Sequence, residues 1–87
     1  MPHYVSLHTL HNLNRQAAQD LAERLRTAPA FGVRRTLLNL VEGKLLLDWE
    51  AADRESIERW LTAQGFEPPE WLVLMEYEFI EGQLVTA

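Results

Sequence analysis

Gly32-Val33-Arg34-Arg35-Thr36-Leu37-Leu38-Asn39-Leu40-Val41-Glu42-Gly43-Lys44-Leu45-Leu46-Leu47-Asp48-Trp49-Glu50 is the stretch that decides the fold. Two runs rich in Leu, Val and Thr meet at Glu42-Gly43, a turn dipeptide, so residues 33–41 and 44–50 read as the arms of a hairpin. Upstream, Leu13, Ala17, Leu21 and Leu25 fall four apart, with Ala18 and Ala22 widening the stripe and Arg15, Gln19, Glu23 and Arg26 off it. That pattern is an amphipathic helix of about three turns. Asn12 and Asn14 offer N-caps, and Pro29 closes the helix. Before it, Val5 and Leu7 alternate with Ser6 and His8, the period of a half-buried strand. Downstream, Asp53 is a good N-cap, and Ile57, Trp60 and Leu61 mark the buried stripe of a second helix. Gly65 is its expected stop, Pro68-Pro69 stiffens a connector, and residues 71–79 read as a fourth strand.

The order strand, helix, strand, strand, helix, strand predicts an α+β fold. Its natural form is the ferredoxin-like βαββαβ sandwich, a four-stranded antiparallel sheet with two helices on one face. Residues 1–87 read as one domain. Ile80-Glu81-Gly82-Gln83-Leu84-Val85-Thr86 echoes Val41-Glu42-Gly43-Lys44-Leu45-Leu46-Leu47. The tail therefore reads either as a short fifth strand, pairing with its own fourth strand or a partner's sheet, or as a fraying terminus.

Composition narrows the function. With 87 residues, 47% of them hydrophobic, the chain is globular, and small domains of this size often gain stability by pairing. The absence of cysteine excludes disulfides, thiolate nucleophiles and Cys-type zinc sites. The net charge of −5 is uneven: residues 1–35 hold five Arg against Asp20 and Glu23, while residues 36–87 hold three bases against eleven acids. An acidic chain whose only basic pair is Arg34-Arg35 is a poor nucleic-acid binder. No signal-peptide pattern and no membrane-length apolar run is visible, so the expectation is a cytoplasmic protein with no membrane partner.

With the helices on one face of the sheet, Val5, Leu7, Leu45, Leu47, Trp49, Val73, Met75 and Tyr77 are expected to face them. The open face then carries Tyr4, Ser6, His8, Leu46, Asp48, Glu50, Leu72, Leu74, Glu76 and Glu78. Leucines on a free face call for a cover, and a second subunit is the expected one, giving a homodimer through the open sheet face. The first and third strands are expected to be neighbours and to run parallel, which brings His8 close to Asp48 and Glu50, with His11 in the loop beyond. One or two imidazoles and two carboxylates make a candidate shell for a divalent metal, nickel or zinc, or a weak acid–base pair. Read plainly, the same residues are surface or interface histidines and solvated edge charges. Trp49, Trp60 and Trp71 read as core and interface aromatics, and Glu76, Glu78 and Glu81 as an acidic rim. No G-x-S-x-G, phosphate loop or H-E-x-x-H motif is present, and Ser6 beside His8 has no orienting third group.

Three stretches carry a family likeness: the first strand ending in Leu7-His8; Gly32-Val33 followed by a hairpin and Leu47-Asp48-Trp49-Glu50-Ala51-Ala52-Asp53; and Gly65-Phe66-Glu67-Pro68-Pro69-Glu70. In these the chain resembles a family of small single-domain ferredoxin-like proteins that includes a nickel-binding member. The resemblance implies a dimeric sandwich, with metal held through the first-strand histidine, here His8, in some members. Two departures stand out: neither helix here carries a histidine, and Ala52 stands where that family usually has proline. The expectation is thus a non-enzymatic binding or interaction protein, dimeric through the open face, with a divalent metal near His8, His11, Asp48 and Glu50 as its most specific form. The alternative is a dimeric α/β-barrel enzyme enclosing a small organic molecule, with His8 as acid–base residue and Asp48 orienting it.

Overall fold

The computed structural model describes residues 1–11, 14–27 and 32–87. In chain order the elements are β1 (His3–Thr9), α1 (Arg15–Arg26), β2 (Gly32–Asn39), β3 (Lys44–Glu50), α2 (Arg54–Ala63), β4 (Trp71–Met75), β5 (Tyr77–Ile80) and β6 (Gln83–Thr86). The expected cap at Asn12, helix start at Leu13 and stop at Pro29 lie outside the described residues. Each helix begins where a side chain supplies the missing acceptor. Asn14 Oδ1 accepts from the Ala17 N–H at 2.8 Å, and Asp53 Oδ1 accepts from the Ser56 N–H at 2.8 Å and its hydroxyl at 2.7 Å. The Ser56 bonds hold the Asp53 carboxyl below its ordinary pKa.

β1 to β4 form one antiparallel sheet in the order β2-β3-β1-β4, and with the two helices this is an α+β arrangement compatible with a ferredoxin-like sandwich. Leu21 and Leu25 of α1 and Ile57 and Leu61 of α2 join Tyr4, Leu45, Leu47, Trp49, Ala51 and Leu72 in one core. Leu21, Leu25, Ile57 and Leu61 of the stripes read from the sequence are thus buried and Ala17, Ala18 and Trp60 half-buried, whereas Ala22 is exposed and Leu13 lies outside the described residues. Trp60 packs edge-on to Trp49 with centroids 5.8 Å apart, and Phe66 stacks on Trp60 at 6.0 Å. The Arg24 guanidinium lies 5.1 Å from the centre of the Phe66 ring, tying α1 to the segment after α2.

The strand parities need correction. β1 buries Tyr4, Ser6 and His8 against the helices, and turns Val5 and Leu7 to the open face. β4 likewise buries Leu72 and turns Trp71, Val73 and Met75 outward; Tyr77 lies beyond β4 and is exposed. Alternation reveals which residues share a face. It does not reveal which face is inside when both carry apolar side chains, and here both do. On β3 the expected parity is the observed one: Leu45, Leu47 and Trp49 are buried.

The fourth strand is shorter than expected. It ends at Met75, and β5 and β6 pair with each other as a separate two-stranded sheet instead of adding to β4. The echoed Glu-Gly dipeptides make different turns. Ile80 pairs directly with Gln83, so Glu81 (φ 51°) and Gly82 (φ 80°) form a two-residue turn of the type that suits twisted hairpins. Asn39 pairs with Lys44 across a four-residue loop, whose Glu42 N–H donates to Asn39 Oδ1 at 3.0 Å.

Gly43 is held by more than its positive φ of 66°. Its carbonyl accepts from the Leu10 N–H at 2.7 Å, and a Cβ at Gly43 would stand 2.5 Å from the Leu10 carbonyl oxygen. Gly65 also has a positive φ, 82°, but open space around it. Chemical denaturation should therefore show Gly65→Ala losing on the order of 1 kcal/mol from the left-handed backbone alone. Gly43→Ala should lose at least twice as much; equal losses would show that the approach of Leu10 to the turn is unimportant.

Candidate functional site

Two regions hold the candidate residues, one on each side of the sheet. On the helix side, the Trp49 indole N–H donates to Ser6 Oγ at 2.8 Å, and Ser6 Oγ lies 2.7 Å from His8 Nε2. Indole is a donor only, so the serine oxygen accepts from Trp49 and keeps a second lone pair and its own proton, either of which can serve the bond to His8. Burial favours the neutral imidazole, lowering the His8 pKa to about 4. The ring sits against Phe66, centroids 6.2 Å apart, and forms part of the wall of a 220 Å³ cleft with His11, Phe66 and Glu67.

Chemically this chain of bonds is a core device. Ser6 is fully buried, its oxygen is engaged on both sides, and no acyl group can reach it, so the serine–histidine proximity is not that of a nucleophile and base. An imidazole with a pKa near 4 is also a weak base at neutral pH.

On the open side, register assigns the side chains to rows, because residues paired across antiparallel strands share a face. One row runs Leu37-Leu46-Leu7-Trp71 through all four strands. The next is Arg35-Asp48-Val5-Val73, and beyond it come Glu50, His3 and Met75. A bulge between Val33 and Arg35 turns Arg34 toward this end, where its Nε lies 3.5 Å from Glu50 and its Nη1 3.5 Å from His3 Nδ1. His3 Nε2 in turn bonds Asp48 Oδ1. At the other end, Lys44 Nζ donates to Thr9 Oγ1 at 2.8 Å and to Glu70 Oε1 at 2.6 Å, and the Thr9 hydroxyl also donates to Glu70. Those bonds hold the Glu70 carboxyl below its ordinary pKa, Lys44 contributing most. The apolar row is thus bracketed by two groups of charges, in which Lys44 pairs with Glu70 and Arg34 with Glu50, while Arg35 makes no ion pair among the described residues.

This geometry separates the residues expected to meet. β1 and β3 are neighbours but antiparallel, so His8 lies opposite Leu45, and Asp48 opposite Val5. His8 is on the helix side, Asp48 and Glu50 on the open side, and His11 is exposed beside the cleft. The imidazole that Asp48 meets is that of His3. Among the described residues, no group of three or more His, Asp or Glu side chains is spaced to hold a metal ion. Sequence reasoning missed His3 and Arg34, although a signal existed. A hairpin makes β2 and β3 antiparallel and a helical crossover makes β1 and β2 parallel, so β1 and β3 must oppose. Arg34 had no such signal, because its orientation depends on the bulge.

Comparison with protein-family models, with curated proteins and with solved structures returns no match, so no family is identified. Among the described residues, no helix is long and apolar enough to cross a membrane.

His8 leaves a measurable trace. The unfolded imidazole takes up a proton near its ordinary value of 6.5, whereas the folded one resists until about 4. Between those values the unfolded state binds more protons, so stability is fully present above about pH 6.5 and falls as acid is added, by about 3 kcal/mol at the lower limit. Urea denaturation across this range should show a shallower loss for His8→Gln than for wild type. An identical pH slope in the two proteins would mean that His8 is not buried in its neutral form.

Proposed function

We propose that this is a non-enzymatic interaction protein of ferredoxin-like architecture, acting in the cytoplasm as a homodimer joined through the open face of its sheet. One observation carries the reading: the row Leu37-Leu46-Leu7-Trp71, with Val5 and Val73 beside it, has no covering layer among the described residues, while two helices pack on the other face. Leu37 is 47% exposed, Trp71 40% and Val73 38%, and their contiguity makes a patch of the kind monomers rarely leave in water. Lys44 with Glu70 and Arg34 with Glu50 are already paired beside this row, so the face can dock on a second copy of itself, as a two-fold interface requires. A neutral, buried His8 supports a binding role over acid–base catalysis, since the ring lies on the far side of the sheet from any chamber between two open faces.

Leu46→Glu places a carboxylate at the centre of this face without touching the core. Sedimentation velocity should find wild type dimeric and the variant monomeric with an unchanged circular dichroism spectrum, the dissociation constant rising by roughly 30-fold or more. A wild-type protein that stays monomeric at every accessible concentration would overturn the proposal.

A further inference from the structure

The C-terminal hairpin is the part of the molecule least explained by its own fold. Tyr77, Phe79, Ile80, Leu84 and Val85 are all exposed, Phe79 at 73%, and among the described residues no other element makes an extended contact with β5 or β6. Pairing divides the apolar side chains between both faces: Tyr77, Phe79 and Leu84 on one, Ile80 and Val85 on the other. A two-stranded hairpin of four-residue strands is at best marginally stable alone in water, so this one needs a surface.

Charge indicates which surface. No Lys, Arg or His follows Arg59, and Glu76, Glu78 and Glu81 have no cationic partner among the described residues. The complementary feature lies at the opposite edge of the sheet. β2 is an outer strand, its far edge unpaired, and it carries Arg34, Arg35 and the exposed Leu37 and Leu38. Arg35 has no ionic partner among the described residues. The hairpin cannot serve its own β2, because β1 and β3 intervene, a span of about 14 Å from β4.

A second copy removes that obstacle. Met75, His3, Glu50 and Gly32 share one end of the sheet, so the hairpin departs from the same end at which Arg34 and Arg35 lie. When two open faces stack about a two-fold axis parallel to the strands, β4 of each copy lies over β2 of the other. We propose that residues 76–87 are an exchange arm: in the dimer each copy lays its acidic, apolar hairpin along β2 of the other, with Glu76 and Glu78 meeting Arg34 and Arg35. This inference rests on the open-face dimer and adds a second, reciprocal contact to it.

Complementary charge reversal tests it. Arg34→Glu with Arg35→Glu forms one variant, and Glu76→Arg with Glu78→Arg the other. Each alone sets like charges against one another at both contacts, so sedimentation should show dimerisation weakened by about tenfold or more. An equimolar mixture should restore the wild-type affinity as a heterodimer, because every contact in it is again complementary. If both variants dimerise like wild type, or if the mixture fails to recover, the arm does not bind β2. If Leu46→Glu still dissociates the protein in that case, the open-face dimer stands without the arm. A monomeric wild type would remove both.

Discussion

The hydrogen-bond chain from the Trp49 indole through Ser6 to His8 is the constraint on which the rest of the sheet depends. A buried hydroxyl and a buried imidazole are costly unless hydrogen-bonded, and here they bond each other, with the Trp49 indole donating to the serine oxygen. Because strand side chains alternate with a period of two, the facing of Ser6 decides that of every other β1 residue. Were β1 turned over, Val5 and Leu7 would enter the core as the simplest pattern suggests. The Trp49 N–H would then lose Ser6 as its acceptor, at about 1–3 kcal/mol. Satisfying Trp49 therefore sends Val5 and Leu7 outward, and through the pairing of β1 with β4 it sends Val73 and Trp71 outward as well.

The consequence is a sheet with apolar side chains on both faces and helices on only one. The open face does not gather its charges into a site; it pairs most of them in place, Arg34 with Glu50 and Lys44 with Glu70, while His3 bonds Asp48. Pairs of that kind contribute little to stability when exposed. They limit the electrostatic cost of covering the face, and leave burial of the leucine row as the driving force. The hairpin beyond β4 extends the same logic: it is apolar and acidic, and in the proposed dimer it would meet the basic edge of another copy.

Much of the fold was legible in the sequence, and the reasons are local. Caps at Asn14 and Asp53, stripes at Leu21 and Leu25 and at Ile57 and Leu61, and the turn at Glu42-Gly43 are set by neighbouring residues. The facing of β1 and β4 was not legible, because it depends on a bond from a tryptophan 43 positions away. The site suffered most from one directional error, which moved His8 beside Asp48 and hid His3. The tail was half legible: its echo of the first hairpin announced a return, but Asn39 widens the first turn while Glu81 and Gly82 close the second in two residues.

The most direct test of the open face is the solvent accessibility of its methyl groups, read by nuclear magnetic resonance with a soluble paramagnetic probe. Val5, Leu7, Leu46 and Val73 are expected to be shielded nearly as well as Leu47 in concentrated wild-type protein, and to become accessible on dilution. Methyl groups on these four residues that stay accessible at every concentration, while Leu47 stays shielded, would contradict the assignment of this face as the functional surface.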